Sequence, residues 1–154
     1  MLTIRTVQNI KRGSRITWLN GIYAIILGFL YIVFFKFIIK TNFHTISAIW
    51  QIFDKYNPDI AGLFVKLLVI KGVFIISIGI MIIYLSSYIL RKKDKSAWFV
   101  LFLIGLLFWG SLLTVEILDK NIYTILLSGI GWIMFIIGML LPIKYYMERD
   151  YDDY

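Results

Sequence analysis

The chain has 154 residues, with 16 Lys and Arg against 9 Asp and Glu, 60% hydrophobic residues and a mean hydropathy of +0.84. That hydropathy lies far from the composition of soluble domains, and the absence of Cys excludes disulfides, thiol redox chemistry and thiolate metal sites. The longest polar excursion, residues 40 to 60, leaves no room for a soluble catalytic domain.

In chain order, Leu2, Ile4, Val7 and Ile10 alternate with Arg5, Gln8, Lys11 and Arg12. This pattern predicts a short interfacial helix ended by Gly13. Four apolar runs follow, at about 16–39, 61–90, 97–118 and 122–143. A helix needs about 20 apolar residues to cross ~30 Å of hydrocarbon, and each run meets that length. The predicted fold is all-α, a single transmembrane domain built as a bundle of four transmembrane helices. The first run is too long for a signal h-region, contains Lys36 and lacks a small-x-small site, so it is expected to remain as a span.

Between the first two runs, Phe43, Ile46, Ile49, Trp50 and Phe53 recur at three- and four-residue spacing. His44, Ser47, Gln51 and Lys55 fall on the other face, and Asn57-Pro58 marks a stop. The spacing predicts one short amphipathic helix of about three turns in the first outer loop, on the membrane surface or capping the bundle.

The basic charge is not scattered. Arg5, Lys11, Arg12, Arg15, Arg91, Lys92, Lys93, Lys95, Lys144 and Arg149 flank span ends that must share one side, while Lys40, Lys55 and Lys120 lie opposite. The positive-inside rule then puts both termini in the cytoplasm, in the cell membrane, and accounts for the net charge without nucleic acid. Trp18, Tyr88, Trp98, Tyr145 and Tyr146 fall at the inner headgroup level and predict an aromatic belt. The acidic tail from Glu148 to Tyr154 is expected to form a short strip or to pair with the basic turn 91–95.

Glycines recur seven apart in three spans: Gly21 and Gly28, Gly72 and Gly79, Gly131 and Gly138. Seven residues is nearly two turns, so each pair shares a helix face. Small residues on one face predict helix–helix packing, because they let backbones approach where lipid gives little drive for burial.

Charges inside spans are costly and point to function by default. Counting 20 residues from the inner end of each span, at ~1.5 Å per residue, brings Lys36, Lys71 and Glu116 to the same outer level. Lys66 would stand above it. The three form an ion-pair or ligand cluster, read either as lysines snorkelling with Glu116 as a partner or as a polar vestibule for an ion, a headgroup or a small polar ligand. His44 is a weak metal candidate, since Asp54 and Asp59 share its loop without ligand spacing. No catalytic set and no cofactor motif emerge.

The layout is similar to small multidrug transporters and other tetraspan proteins, but the acidic residue those transporters carry inside their first span has no counterpart here. Topology alone assigns no function. The expected function is therefore non-enzymatic: an accessory, scaffold or assembly subunit that docks on other membrane helices and on membrane lipids. The alternative is a small homo-oligomeric transporter or channel with an outward vestibule around Lys71 and Glu116, its pathway using Ser77, Ser111, Thr114 and Ser128.

Overall fold

The computed structural model describes residues 4–46 and 50–147. Among them every regular element is helical: α1 (Ile4–Val33), α2 (Phe35–Ile46), α3 (Trp50–Tyr56), α4 (Pro58–Lys92), α5 (Lys95–Leu118), α6 (Ile122–Leu140) and α7 (Ile143–Met147). Four of these, α1, α4, α5 and α6, are long and apolar enough to cross a membrane. They stand in a ring in which α1 packs on α4 and α6, and α5 packs on α6 and α4.

The ends of the long helices follow local rules. Pro58 opens α4, where its missing N–H costs nothing. Lys93 closes α4 in the left-handed region, its N–H donating to the Ile89 carbonyl at 2.8 Å. One residue later the Asp94 carboxylate accepts from the Ala97 N–H at 3.1 Å and starts α5. Asn121 does the same for α6 through the Tyr123 N–H.

Several expectations are corrected. The first helix does not end at Gly13 but runs unbroken through it, with Ile10, Gly13 and Ser14 buried against the bundle. Nor does it reach Ile39. It stops at Val33, and after a turn at Phe34 the chain resumes as α2, the Phe37 N–H donating to the Phe34 carbonyl three residues back. The expected loop helix falls on the end of α2 and on α3, and residues 47–49 between them lie outside the described residues. In α3, Trp50 and Phe53 pack together, and Phe53 meets the ring of Phe64 on α4 edge-on at 6.2 Å. Phe43, Ile46 and Ile49 belong to positions whose side chains lie outside the described residues. The last span ends at Leu140, before the Leu141–Pro142 turn, where the proline offers no N–H to continue the ladder. The acidic tail also lies outside the described residues.

Glycine decides how closely the helices approach. A Cβ on Gly21 would sit 2.8 Å from the Gly79 carbonyl oxygen, and one on Gly79 would sit 2.8 Å from that of Gly21. One register along, Gly28 and Gly72 stand in the same reciprocal relation at 2.6 and 2.9 Å. The α1–α4 seam is thus backbone against backbone. Between α5 and α6 the glycines act differently: the Phe135 ring fills the place of a Cβ at Gly105, and the Trp109 ring fills that at Gly131. On the remaining face of α1, Gly13 meets the Gly138 carbonyl oxygen and Pro142. Gly62, Gly110 and Gly129 face open space.

Candidate functional site

One face of α1 carries Ser14, Thr17, Asn20 and Tyr31 inward, all of them buried. Each finds a partner within the bundle. Ser14 and Ser86 exchange hydrogen bonds through their hydroxyls and backbone carbonyls. Asn20 Nδ2 donates to the Gly131 carbonyl at 2.7 Å, while its Oδ1 accepts from the Trp109 indole N–H at 3.0 Å. Thr17 returns its hydroxyl to the Gly13 carbonyl of its own helix. The half-buried Tyr23 donates to the Leu127 carbonyl, and its ring stacks on Trp109. A buried amide without partners would cost several kcal/mol in an apolar surrounding, so this seam fixes the register of α1 against α5 and α6.

The seam ends in the only buried ionisable carboxylate among the described residues. Glu116, on the last turn of α5, is 0% exposed. Its Oε1 accepts the Tyr31 hydroxyl from α1 at 2.5 Å and the Lys71 ammonium from α4, also at 2.5 Å. The Lys71 ammonium lies 4.9 Å from the centre of the Tyr31 ring, a cation–π contact that closes the triangle. Three helices thereby meet on one oxygen atom. The second oxygen, Oε2, is buried and has no hydrogen-bond partner among the described residues. Just beyond the helix, burial pushes the Asp119 carboxyl up from its ordinary range; neighbouring Glu116 adds to this and Lys71 opposes it. Five residues after Glu116, Asn121 Nδ2 donates to Asn42 Oδ1 on α2 at 2.6 Å.

The residues singled out from the sequence divide clearly. Lys71 and Glu116 come together, whereas Lys36 is exposed and lies over the Phe35 ring at 6.0 Å, away from the carboxylate. Lys66 is exposed one turn and more above Lys71. The backbone of His44 lies on α2, but its side chain is outside the described residues; Asp54 and Asp59 are exposed. Among the described residues no three His, Cys, Asp or Glu side chains cluster as metal ligands.

The four residues of the expected polar stripe do not gather on one buried face. Ser77, Ser111 and Thr114 are exposed and bond to carbonyls of their own helices, and Ser128 is buried without a partner. The polar line that does exist was missed. Its signal is the three-residue spacing of Ser14, Thr17 and Asn20, hidden because Ser14 precedes the apolar run that starts at residue 16 while Thr17 and Asn20 lie inside it. Tyr31 was missed because its hydroxyl reads as ordinary aromatic content.

The aromatic belt is also corrected. Trp18 and Tyr88 are exposed, but Trp98 and Tyr146 are each only 7% exposed, stacked on each other with ring centres 5.2 Å apart. They pack α7 onto the start of α5 and do not face outward.

Chemically, the cluster offers one carboxylate held by two donors, with the Asp119 carboxyl near enough to feel its charge. That is a helix clamp with one spare acceptor. Comparison with protein-family models, with curated proteins and with solved structures finds no match.

Proposed function

We propose that this chain is a multi-pass membrane protein, both termini cytoplasmic, that serves as a non-enzymatic accessory or assembly subunit docking on other membrane helices. The observation that carries it is the surface of α4 beyond Lys71. The helix has 35 residues and is therefore about 52 Å long, against a hydrocarbon thickness of ~30 Å. If the Lys71–Glu116 pair sits at the hydrocarbon edge, the 13 residues from Pro58 to Ile70 project about 20 Å further. Yet Ile60, Leu63, Phe64, Leu67 and Ile70 on that segment remain exposed. Lipid tails do not reach so far, and α2 and α3 cover only part of the face. An apolar patch above the hydrocarbon is the kind of surface that a protein partner covers.

Photocrosslinking in membranes separates the two sides of this helix. A photoreactive residue at Leu63 or Leu67 is expected to capture another membrane protein, whereas one at Leu107, 70% exposed on α5, captures lipid. Lipid adducts alone at all three positions would defeat the docking reading.

A second reading, a small homo-oligomeric transporter or channel, draws on the unpartnered Oε2 of Glu116 beside a Lys71 whose side chain is 25% exposed. It requires solute flux in vesicles that disappears in Glu116→Gln. The docking reading predicts no such flux.

A further inference from the structure

At the end of the bundle that carries the basic turn, an open cleft of about 770 Å³ lies between the start of α5 and α7. Its walls include Trp98, Phe102, Tyr146 and Met147, and Lys95 and Ser96 stand with them at the N-terminus of α5. Phe102, Trp98 and Tyr146 stack in three parallel layers, with centres 5.5 and 5.2 Å apart. The Trp98 indole N–H and the Tyr146 hydroxyl are both buried, and neither has a hydrogen-bond partner among the described residues. Buried donors without acceptors cost free energy in the empty site, on the order of 1–3 kcal/mol each by mutational measure, so an acceptor that enters the cleft is drawn there.

We infer that this cleft is a binding site for one anionic phospholipid, its acyl chain against the aromatic wall and its phosphate and ester oxygens toward Trp98, Tyr146, Ser96 and Lys95. The volume lies within the range of small-ligand sites. The wall continues into Phe99 and Val100, which are exposed along the apolar flank of α5 and would face the acyl region. Lys95 stands in the lining, and Lys92 and Lys93 lie just before it in sequence, so this turn is net positive over Asp94. Basic pockets of this kind on the cytoplasmic side match the leaflet in which anionic lipids concentrate. Burial, then Tyr145 and Asp94, raise the Tyr146 phenol above its ordinary value, so it stays a donor at any physiological pH. A free phosphate would use the rim and leave the aromatic wall bare, which is why a lipid is the occupant.

The inference rests on the multi-pass reading, and the experiment keeps the two apart. Native mass spectrometry of the protein released from mixed phosphatidylglycerol and phosphatidylcholine micelles should retain one phosphatidylglycerol in preference. Tyr146→Phe removes only the hydroxyl and keeps the stack, while Lys95→Gln removes the charge; each should lower retention about fivefold, the effect expected of one basic or donor contact at an anionic headgroup. Thermal unfolding in lipid-free detergent should not fall for Tyr146→Phe, which loses an unpartnered buried donor, and Lys95→Gln is compared with wild type below the midpoint of both. Equal retention of the two lipids, retention unchanged in both variants, or displacement by millimolar inorganic phosphate would overturn the lipid site while the chain remains in the membrane. Release of wild-type chain from membranes by alkaline carbonate would overturn the multi-pass reading itself, and the lipid site with it.

Discussion

The two antiparallel pairs of this bundle, α1 with α4 and α5 with α6, use glycine to opposite ends. In the first pair, Gly21 faces Gly79 and Gly28 faces Gly72, each under the other's carbonyl oxygen, so that two backbones touch. In the second, Gly105 and Gly131 are sockets for the rings of Phe135 and Trp109. A backbone contact cannot give way, because the helix would have to move as a body. A ring in a socket can be replaced by a smaller side chain. Glycine spacing reveals that a face is close-packed but not which of these it is, and the two should respond differently to the same substitution.

The largest expected effect is at the first seam. Gly79→Leu should lower stability by about 3 kcal/mol, the upper end of overpacking costs, read as thermal unfolding in detergent. A change within error would mean that α1 and α4 are not in backbone contact. Next comes the clamp between the pairs. Lys71→Met leaves the Glu116 carboxylate facing only Tyr31, and breaking a buried pair from one side is costly; partial exposure of Lys71 brings the figure down to about 2 kcal/mol. Adding Glu116→Gln should recover most of that loss, and failure to recover it would show that Lys71 acts through packing and not through the pair.

The comparison is sharpest in a third test. Gly105→Ala should cost about 1.5 kcal/mol and be rescued by Phe135→Leu, which empties the socket. Gly79→Ala should not be rescued by Ile25→Ala, although Ile25 lies 2.8 Å from the added carbon, because the Gly21 carbonyl oxygen is equally close. Equal rescue at both seams would erase the distinction. The smallest effect is expected at Tyr23→Phe, which keeps the ring stacked on Trp109 and loses only the bond to the Leu127 carbonyl; interhelical hydrogen bonds in membranes average about 0.6 kcal/mol.

Composition and period made the long helices legible, since a run of about 20 apolar residues is a count that tertiary contacts do not alter. The breaks were not. The turn at Phe34 has no Gly or Pro to announce it, and hydropathy is blind to one shifted backbone bond. Depth counting placed Lys71 and Glu116 on one level, because rise per residue is fixed. It could not separate Lys71 from Lys36, because Lys36 lies beyond the turn at Phe34, on α2, which a count of residues does not register. Trp98 and Tyr146 show the opposite failure: residue type and depth both suit a belt, while the α7 return that buries them depends on the Pro142 turn. Asn20 was passed over because one amide in a long apolar run barely changes its mean.

That amide has a consequence in time. Its two partners lie 89 and 111 residues further along the chain. At ~5–20 residues per second of synthesis, Asn20 is made roughly 5–20 s before Gly131. If the spans enter the membrane in order, α1 and α4 can join on their glycines at once, while Asn20 carries an unmet polar group until the last helix arrives. The first pair is then complete in its packing but unfinished in its bonding. It keeps a sticky position open for α6, and for any quality-control machinery that inspects orphaned amides within the bilayer.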